Sequence, residues 1–371
     1  MTQSVRQAAG SLLIVGLGAT ELTALERAWL KLIRPAGIIL FRRNIAEARQ
    51  TRALLADATR LCASHSLRCV DVEGGTVDRL RDALAPMPSA QAVAAAARNL
   101  RKSKLAREHG ELIAREVKAF GFNTTLAPVL DLGLPESASV MGTRCAGATA
   151  AEVVAYAREF FAGLAAHHIM GCAKHFPGLG GGTLDSHHET PLIKRTWNQL
   201  WQEDLEPYRA LRNQIPMVMI NHAAYPKTAG KKRPASVSRF WIETVLRQRI
   251  GYRGIVFSDD LEMGGALKFM LIEEAAVEAV RAGTDMVEIC HSAELILRAF
   301  EALTTEGERS GAFRALLLER ARQSERKRKR FVAARAAAAL SARQLEALRG
   351  QVQRFGETVA TAAAAQKAAS A

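Results

Sequence analysis

Short apolar runs recur along the first 305 or so residues, separated by longer stretches whose apolar positions return every three or four residues. The runs fall at 12–17, 37–41, 68–72, 125–131, 171–175, 217–220, 254–258 and 285–289. Most are continuously apolar, as parallel strands covered on both faces are, and lack the in-out alternation of a one-sided sheet. Between them, segments such as 151–166 and 242–249 carry the spacing of amphipathic helices. Eight strand–helix units in this length predict one α/β domain, a (β/α)8 barrel of the TIM type. A doubly wound open sheet is the competing arrangement. Its dinucleotide fingerprint is not met, because Gly16-Leu17-Gly18-Ala19-Thr20-Glu21 lacks the third glycine.

The texture changes near residue 309, which divides the chain into a barrel domain, 1–308, and a helical tail, 309–371. Within the tail, 312–338 and 341–354 read as helices rich in Ala, Arg and Leu, the second opened by a Ser341/Gln344 capping box. The last dozen residues, mostly Ala, read as frayed or disordered. The net charge is +14, but from Arg309 onward fourteen Lys and Arg face four Glu, so the tail holds +10 and the barrel only +4. The basic excess therefore says little about what the barrel binds, and nucleic acid is not the expected partner. The run Arg326-Lys327-Arg328-Lys329-Arg330 reads first as a solvated helix face. With the tail outside the eight units, removing residues 351–371 is expected to leave the chemistry untouched.

Composition sets the class: 49% hydrophobic and 24% charged residues describe a soluble globular protein. Five scattered cysteines without a Cys-x-x-Cys pair speak against a disulfide framework or zinc ribbon and for a reducing, cytoplasmic compartment. No run reaches membrane-span length. The apolar stretch near residue 12 reads as a first strand and not a signal peptide, since only Arg6 precedes it and Gly16 and Gly18 interrupt it.

A barrel places its chemistry just past the C-terminal ends of its strands. Polar clusters stand there after the third run (Asp71, Glu73, Arg79), the fourth (Asp131, Arg144), the fifth (Lys174, His175), the sixth (Asn221, His222) and the seventh (Asp259, Asp260). The densest stretch, 174–191, sets a Lys, three His and two acids around glycines 178, 180, 181 and 182. Asp185 and His187 are two residues apart, close enough for the carboxylate to fix the imidazole tautomer and favour its protonated form. Such a histidine donates a proton near neutral pH and takes one back later. Asp259 ends a buried strand, where an acid is a nucleophile, a base, a metal ligand or a salt-bridge partner. A nucleophilic carboxylate with a separate acid/base is the logic of retaining glycoside hydrolysis.

Two motifs carry a resemblance. Lys174-His175-Phe176-Pro177-Gly178 followed by Asp185-Ser186-His187, and Ser258-Asp259-Asp260-Leu261-Glu262-Met263, make the chain similar to bacterial β-N-acetylhexosaminidases of glycoside hydrolase family 3. Weaker echoes run in barrel order from about residue 12 to 305, including Asp71-Val72-Glu73-Gly74-Gly75 and Ala282-Gly283-Thr284-Asp285-Met286. The resemblance implies Asp259 as nucleophile, His187 as general acid/base and Asp185 as its assistant. It also implies Asp71, Arg79, Arg144, Lys174 and His175 as the grip on a terminal N-acetylglucosamine. The substrates implied are cell-wall muropeptide fragments or chitin-type saccharides, with no cofactor, no metal and a monomeric enzyme. Leu179, Val72, Thr76 and His291 stand where the family often has His, Gln, Arg and Asn, which leaves the aglycone open. A phosphorylase is the alternative within this class, since a histidine acid/base does not repel an incoming phosphate. Outside it stand a metal-dependent barrel hydrolase using His175, His187, His188 and Asp259, and a silent sugar-binding barrel.

Overall fold

The computed structural model describes residues 3–101, 104–182, 190–332 and 338–370. Eight strands form a closed parallel barrel: β1 Leu13–Gly16, β2 Gly37–Leu40, β3 Leu67–Val70, β4 Thr124–Thr125, β5 Met170–Phe176, β6 Met217–Ile220, β7 Ile255–Asp260 and β8 Met286–Ile289. Each pairs with its sequence neighbours, and β8 closes on β1 with Ile14 opposite Glu288. All eight expected runs are strands. The fourth is the shortest, because Pro128 has no N–H to donate to a ladder; past Thr125 the pairing continues through the Leu126 N–H on the Val70 carbonyl, the Cys172 N–H on the Ala127 carbonyl and the bridge between Val129 and Lys174.

Alternation along the strands splits the core in two. Ile14, Ile39, Cys69, Leu126, Cys172, Met219, Phe257 and Met286 fill the barrel interior. Their neighbours, among them Val15, Ile38, Val70, Val218, Val256 and Val287, face the surrounding helices. Both faces are therefore apolar, which is why the runs read as continuous. The helices that matter below are α1 Val5–Gly10, α2 Ala90–Asn99, α3 Lys104–Ala119, α4 Ala150–Ala166, α5 Ala293–Arg309, α6 Gly311–Phe331 and α7 Ala342–Ser370. The expected Ser341/Gln344 box closes at the start of α7, and Thr149 caps α4 by accepting from the Glu152 N–H.

The tail is less detached than its composition suggests. Helix α6 packs on α1 and α5, burying Phe313, Leu317 and Ala321. Helix α7 lies across α2 and α3, burying Leu348, Val352, Phe355, Val359 and Ala362. It continues past Arg354 to Ser370, as an alanine-rich segment with a docked face can. The basic run is not a wholly solvated face. Lys327 pairs with the buried Asp285 at 2.7 Å, and Arg328, 1% exposed, donates to the Ser64 and His65 carbonyls at 2.6 and 3.1 Å. A helix end laid against the N-terminal rim of β3 and β8 must bring cations that meet carbonyls and a carboxylate there. Among the described residues no helix is long and apolar enough to cross a membrane.

Candidate active site

A cavity of about 380 Å³ opens at the C-terminal end of the barrel, lined by residues from the ends of seven strands. It takes in Asp71, Glu73, Arg79, Arg144, Lys174, His175 and Asp259. Its size suits a single sugar ring with part of a second.

Beyond β3 the chain turns through a short hairpin, Val72–Gly74 with Val77–Asp78, and leaves Glu73 at the cavity floor. Glu73 is 3% exposed and holds two cations at once. Arg144 meets it through Nε and Nη2, both at 2.8 Å, and Lys174 Nζ lies 2.6 Å from Oε1. Burial opposes its charge, but Arg144 and Lys174 outweigh burial and hold the carboxyl well below its ordinary range. Lys174 also reaches Asp71 at 2.8 Å, and although burial works against its charge, Asp71 and Glu73 raise its pKa. Glu73, Arg144 and Lys174 are thus held in their charged forms, and the ion pairs with Asp71 and Glu73 fix each side chain in place.

Next to Lys174, His175 is oriented from both sides. Its Nδ1 lies 2.6 Å from Asp131, and its Nε2 lies 3.2 Å from Arg144 Nη2. Arginine only donates, so Nε2 accepts and the ring proton sits on Nδ1, directed at Asp131. Asp131 also accepts from the Leu179 N–H at 2.7 Å, tying the start of the following loop to the same carboxylate. Gly178 is required there: its φ is +135°, and a Cβ would stand 2.9 Å from that of Asp204. Tyr225 donates to the Gly178 carbonyl at 2.7 Å.

Across the cavity, Asp259 is the next-to-last residue of β7. Burial again opposes its charge, and the imidazoles of His175 and His222, the Asp260 N–H at 2.9 Å and Lys174 outweigh it, so its carboxyl lies below the ordinary value. A half-buried, ionised carboxylate facing the cavity is poised to attack an electrophilic carbon. Of the expected grip, Asp71, Arg144, Lys174 and His175 form one network with Glu73 and Asp131. Arg79 stands at its edge, 3.9 Å from Asp71. Asp185 and His187 lie outside the described residues, as does His188.

Sequence reasoning placed Glu73 and Asp131 in polar clusters without giving them a role. Their depth was the missing signal, since a charge that bridges two others cannot be told from a surface charge by spacing. Glu288 escaped notice altogether. It lies within an apolar run and yet lines the cavity, 2% exposed, and burial holds its carboxyl well above the ordinary range.

The chain matches a family model described as the glycosyl hydrolase family 3 N terminal domain over residues 4–315. A beta-hexosaminidase of Idiomarina loihiensis is 35% identical over 279 residues, 75% of this chain and 83% of that protein. Among solved structures, a glycoside hydrolase family 3 beta-N-acetylglucosaminidase from a Paenibacillus species superposes with a TM-score of 0.85 at 31% identity, covering 96% of this chain and 69% of that one. Native NagZ from Neisseria gonorrhoeae superposes with a TM-score of 0.77 at 27% identity, covering 98% and 99% of the two chains.

Proposed function

The chain belongs to glycosyl hydrolase family 3, and from that premise we propose that it is a retaining β-N-acetylhexosaminidase acting on terminal, non-reducing N-acetylglucosamine. The observation that carries this reading is the pairing of a half-buried, ionised Asp259 with a rigid charged wall in one sugar-sized cavity. Asp71, Glu73, Lys174, Arg144 and His175 present donors and acceptors held by one another, the arrangement that reads sugar hydroxyls by direction.

In the reaction, an Asp259 oxygen attacks the anomeric carbon as the bond to the aglycone oxygen breaks. His187 gives its proton to that leaving oxygen, and Asp185 holds the imidazole. Water then attacks the glycosyl–enzyme ester, His187 takes back a proton, and Asp259 leaves as carboxylate. Two displacements return the β configuration. The barrel, 1–308, carries these roles, and 309–371 serves as a helical support. Muropeptide or chitin-type saccharides are the substrate class, handled by a cytoplasmic monomer with no nucleic-acid partner.

The test compares a chromogenic β-N-acetylglucosaminide with the plain β-glucoside, each with and without phosphate, with the first-formed anomer followed by NMR. Release from the acetamido sugar alone, independent of phosphate and giving the β-product, supports the reading. An α-product counts against the covalent route. Turnover only with phosphate, yielding a sugar phosphate, makes the enzyme a phosphorylase.

A further inference from the structure

We propose that Asp260, Cys290 and His291 form a binding site for a thiophilic divalent cation, zinc above all, and that an ion held there closes the sugar pocket. One carboxylate oxygen, the thiol sulfur and one imidazole nitrogen of these residues all lie within 4.8 Å of one another. All three residues line the same cavity as Asp259. The set is distinct from the loop pair Asp185 and His187.

The donor chemistry selects the ion. Oxygen, sulfur and nitrogen together suit zinc, whereas magnesium and calcium seek oxygen alone. The spacing suits it too. His291 Nε2 lies 3.6 Å from Asp260 Oδ2, and two zinc bonds of tetrahedral angle set their donors roughly 3.4 Å apart. Three protein ligands leave a fourth position open toward the cavity.

The surroundings favour a cation. Asp259 adjoins Asp260, and Glu288 precedes Cys290 by two residues along the last strand and its continuation. Glu288 has one carboxylate oxygen, Oε1, with no hydrogen-bond partner among the described residues, although the side chain is buried against the cavity. The nearest cation is Arg43, whose Nη1 donates to His291 Nδ1 at 2.9 Å and which is also held by the Leu17 and Cys290 carbonyls at 2.9 and 2.7 Å. In that arrangement the imidazole proton sits on Nε2. Metal binding shifts it to Nδ1, breaks the single contact with Arg43, and leaves the two carbonyl bonds intact. The thiol proton goes to solvent as the thiolate–metal bond forms.

An ion in this position stands beside Asp259, in the volume a sugar must enter, so binding competes with substrate. That inhibitory half rests on the hydrolase reading; the binding half does not.

Cobalt(II) serves as the probe for the full-length, chelator-stripped protein. We expect one cobalt per chain with a thiolate-to-cobalt charge-transfer band. Cys290→Ser should abolish the band, and His291→Asn should weaken affinity at least ~10-fold, the loss that even an outer-shell partner costs. In parallel, zinc should inhibit hydrolysis of a chromogenic N-acetylglucosaminide reversibly on adding chelator. The inhibitory concentration should rise by a similar factor in each variant, judged against that variant's own metal-free rate. A band that survives Cys290→Ser, or no band at all, overturns the site. Zinc inhibition unchanged in both variants overturns the blocking role. If no sugar substrate turns over, the functional reading fails while the cobalt spectrum still decides the site.

Discussion

Asp259 and Asp260 are neighbours with opposite surroundings. Burial and adjacent carboxylates push the Asp260 carboxyl up, whereas imidazoles, an N–H and a lysine pull Asp259 down. That contrast assigns the nucleophile. Asp259→Ala should lower kcat by several powers of ten, as removal of a covalent catalyst does. A fluorinated substrate should label the Asp259 peptide, and a label on Asp260 would show that the wrong neighbour was chosen. His187→Ala should slow substrates with poor leaving groups far more than activated phenyl glycosides, because only the former need a proton; equal losses would mean that His187 merely positions the sugar. Glu73 presents a different case. It lies between Arg144 and Lys174, so Glu73→Ala leaves the buried Lys174 and the half-buried Arg144 facing each other and should cost about 3–5 kcal/mol in urea unfolding.

The element with most to explain is α7. Read along the chain, its end is an alanine-rich remnant whose removal touches nothing. Folded, it lays Phe355 on His109, ring centroids 5.8 Å apart, at the junction of α3 with α4. His109 Nδ1 meets the Tyr156 hydroxyl at 2.8 Å, and burial lowers its pKa from 6.5 to about 3. A chain cut after Gly350 loses the buried Val352, Phe355, Val359 and Ala362 and should lose a few kcal/mol of stability, while molecules still folded keep their kcat/KM. His109 also makes a pH signature. Between the two pKa values the unfolded chain binds a proton that the folded one does not. Its stabilising contribution is therefore complete above pH 6.5 and falls away as the pH drops toward 3. At pH 5 the loss amounts to at most about 2 kcal/mol. Urea midpoints measured across this range should fall less steeply in His109→Gln, and an identical slope would remove the histidine from the account.

At the scale of the whole molecule, the tail closes the end of the barrel opposite the cavity. Asp285 is fully buried at the start of β8 and meets Arg247 and Lys327, both at 2.7 Å. Val332 packs against the interior cluster of the barrel. The five-residue basic run is therefore two populations. Neutralising Arg326, Lys329 and Arg330 should change stability by less than about 0.5 kcal/mol. Lys327→Ala leaves Arg247 as the partner of Asp285, and Arg328→Ala strips a donor from two carbonyls. Each should lower the unfolding midpoint clearly, with KM for a neutral chromogenic substrate unchanged because the cavity lies at the other end. A shift in KM would show that the two ends of the barrel are coupled.

The sequence alone determined the strand count, the parallel order and the end of the barrel that carries chemistry. These follow from local periodicity, and a strand buried on both faces announces itself in every residue. Polar residues just past apolar runs also marked the clusters that hold Asp71, Arg144, Lys174, His175 and Asp259, and the family resemblance set these apart from their neighbours. Strand four came out too long, since the apolar run through Pro128 hid the missing N–H. What only the tertiary structure decided concerns depth and pairing. Glu73 as the bridge between two cations, Asp131 as the anchor of His175, Glu288 within the cavity, and the burial of Lys327 and Arg328 all depend on which distant segment arrives opposite. A charged side chain reads alike in sequence whether water or another charge will face it, because its partner can arrive from far along the chain, 264 residues away for Arg328 and Ser64.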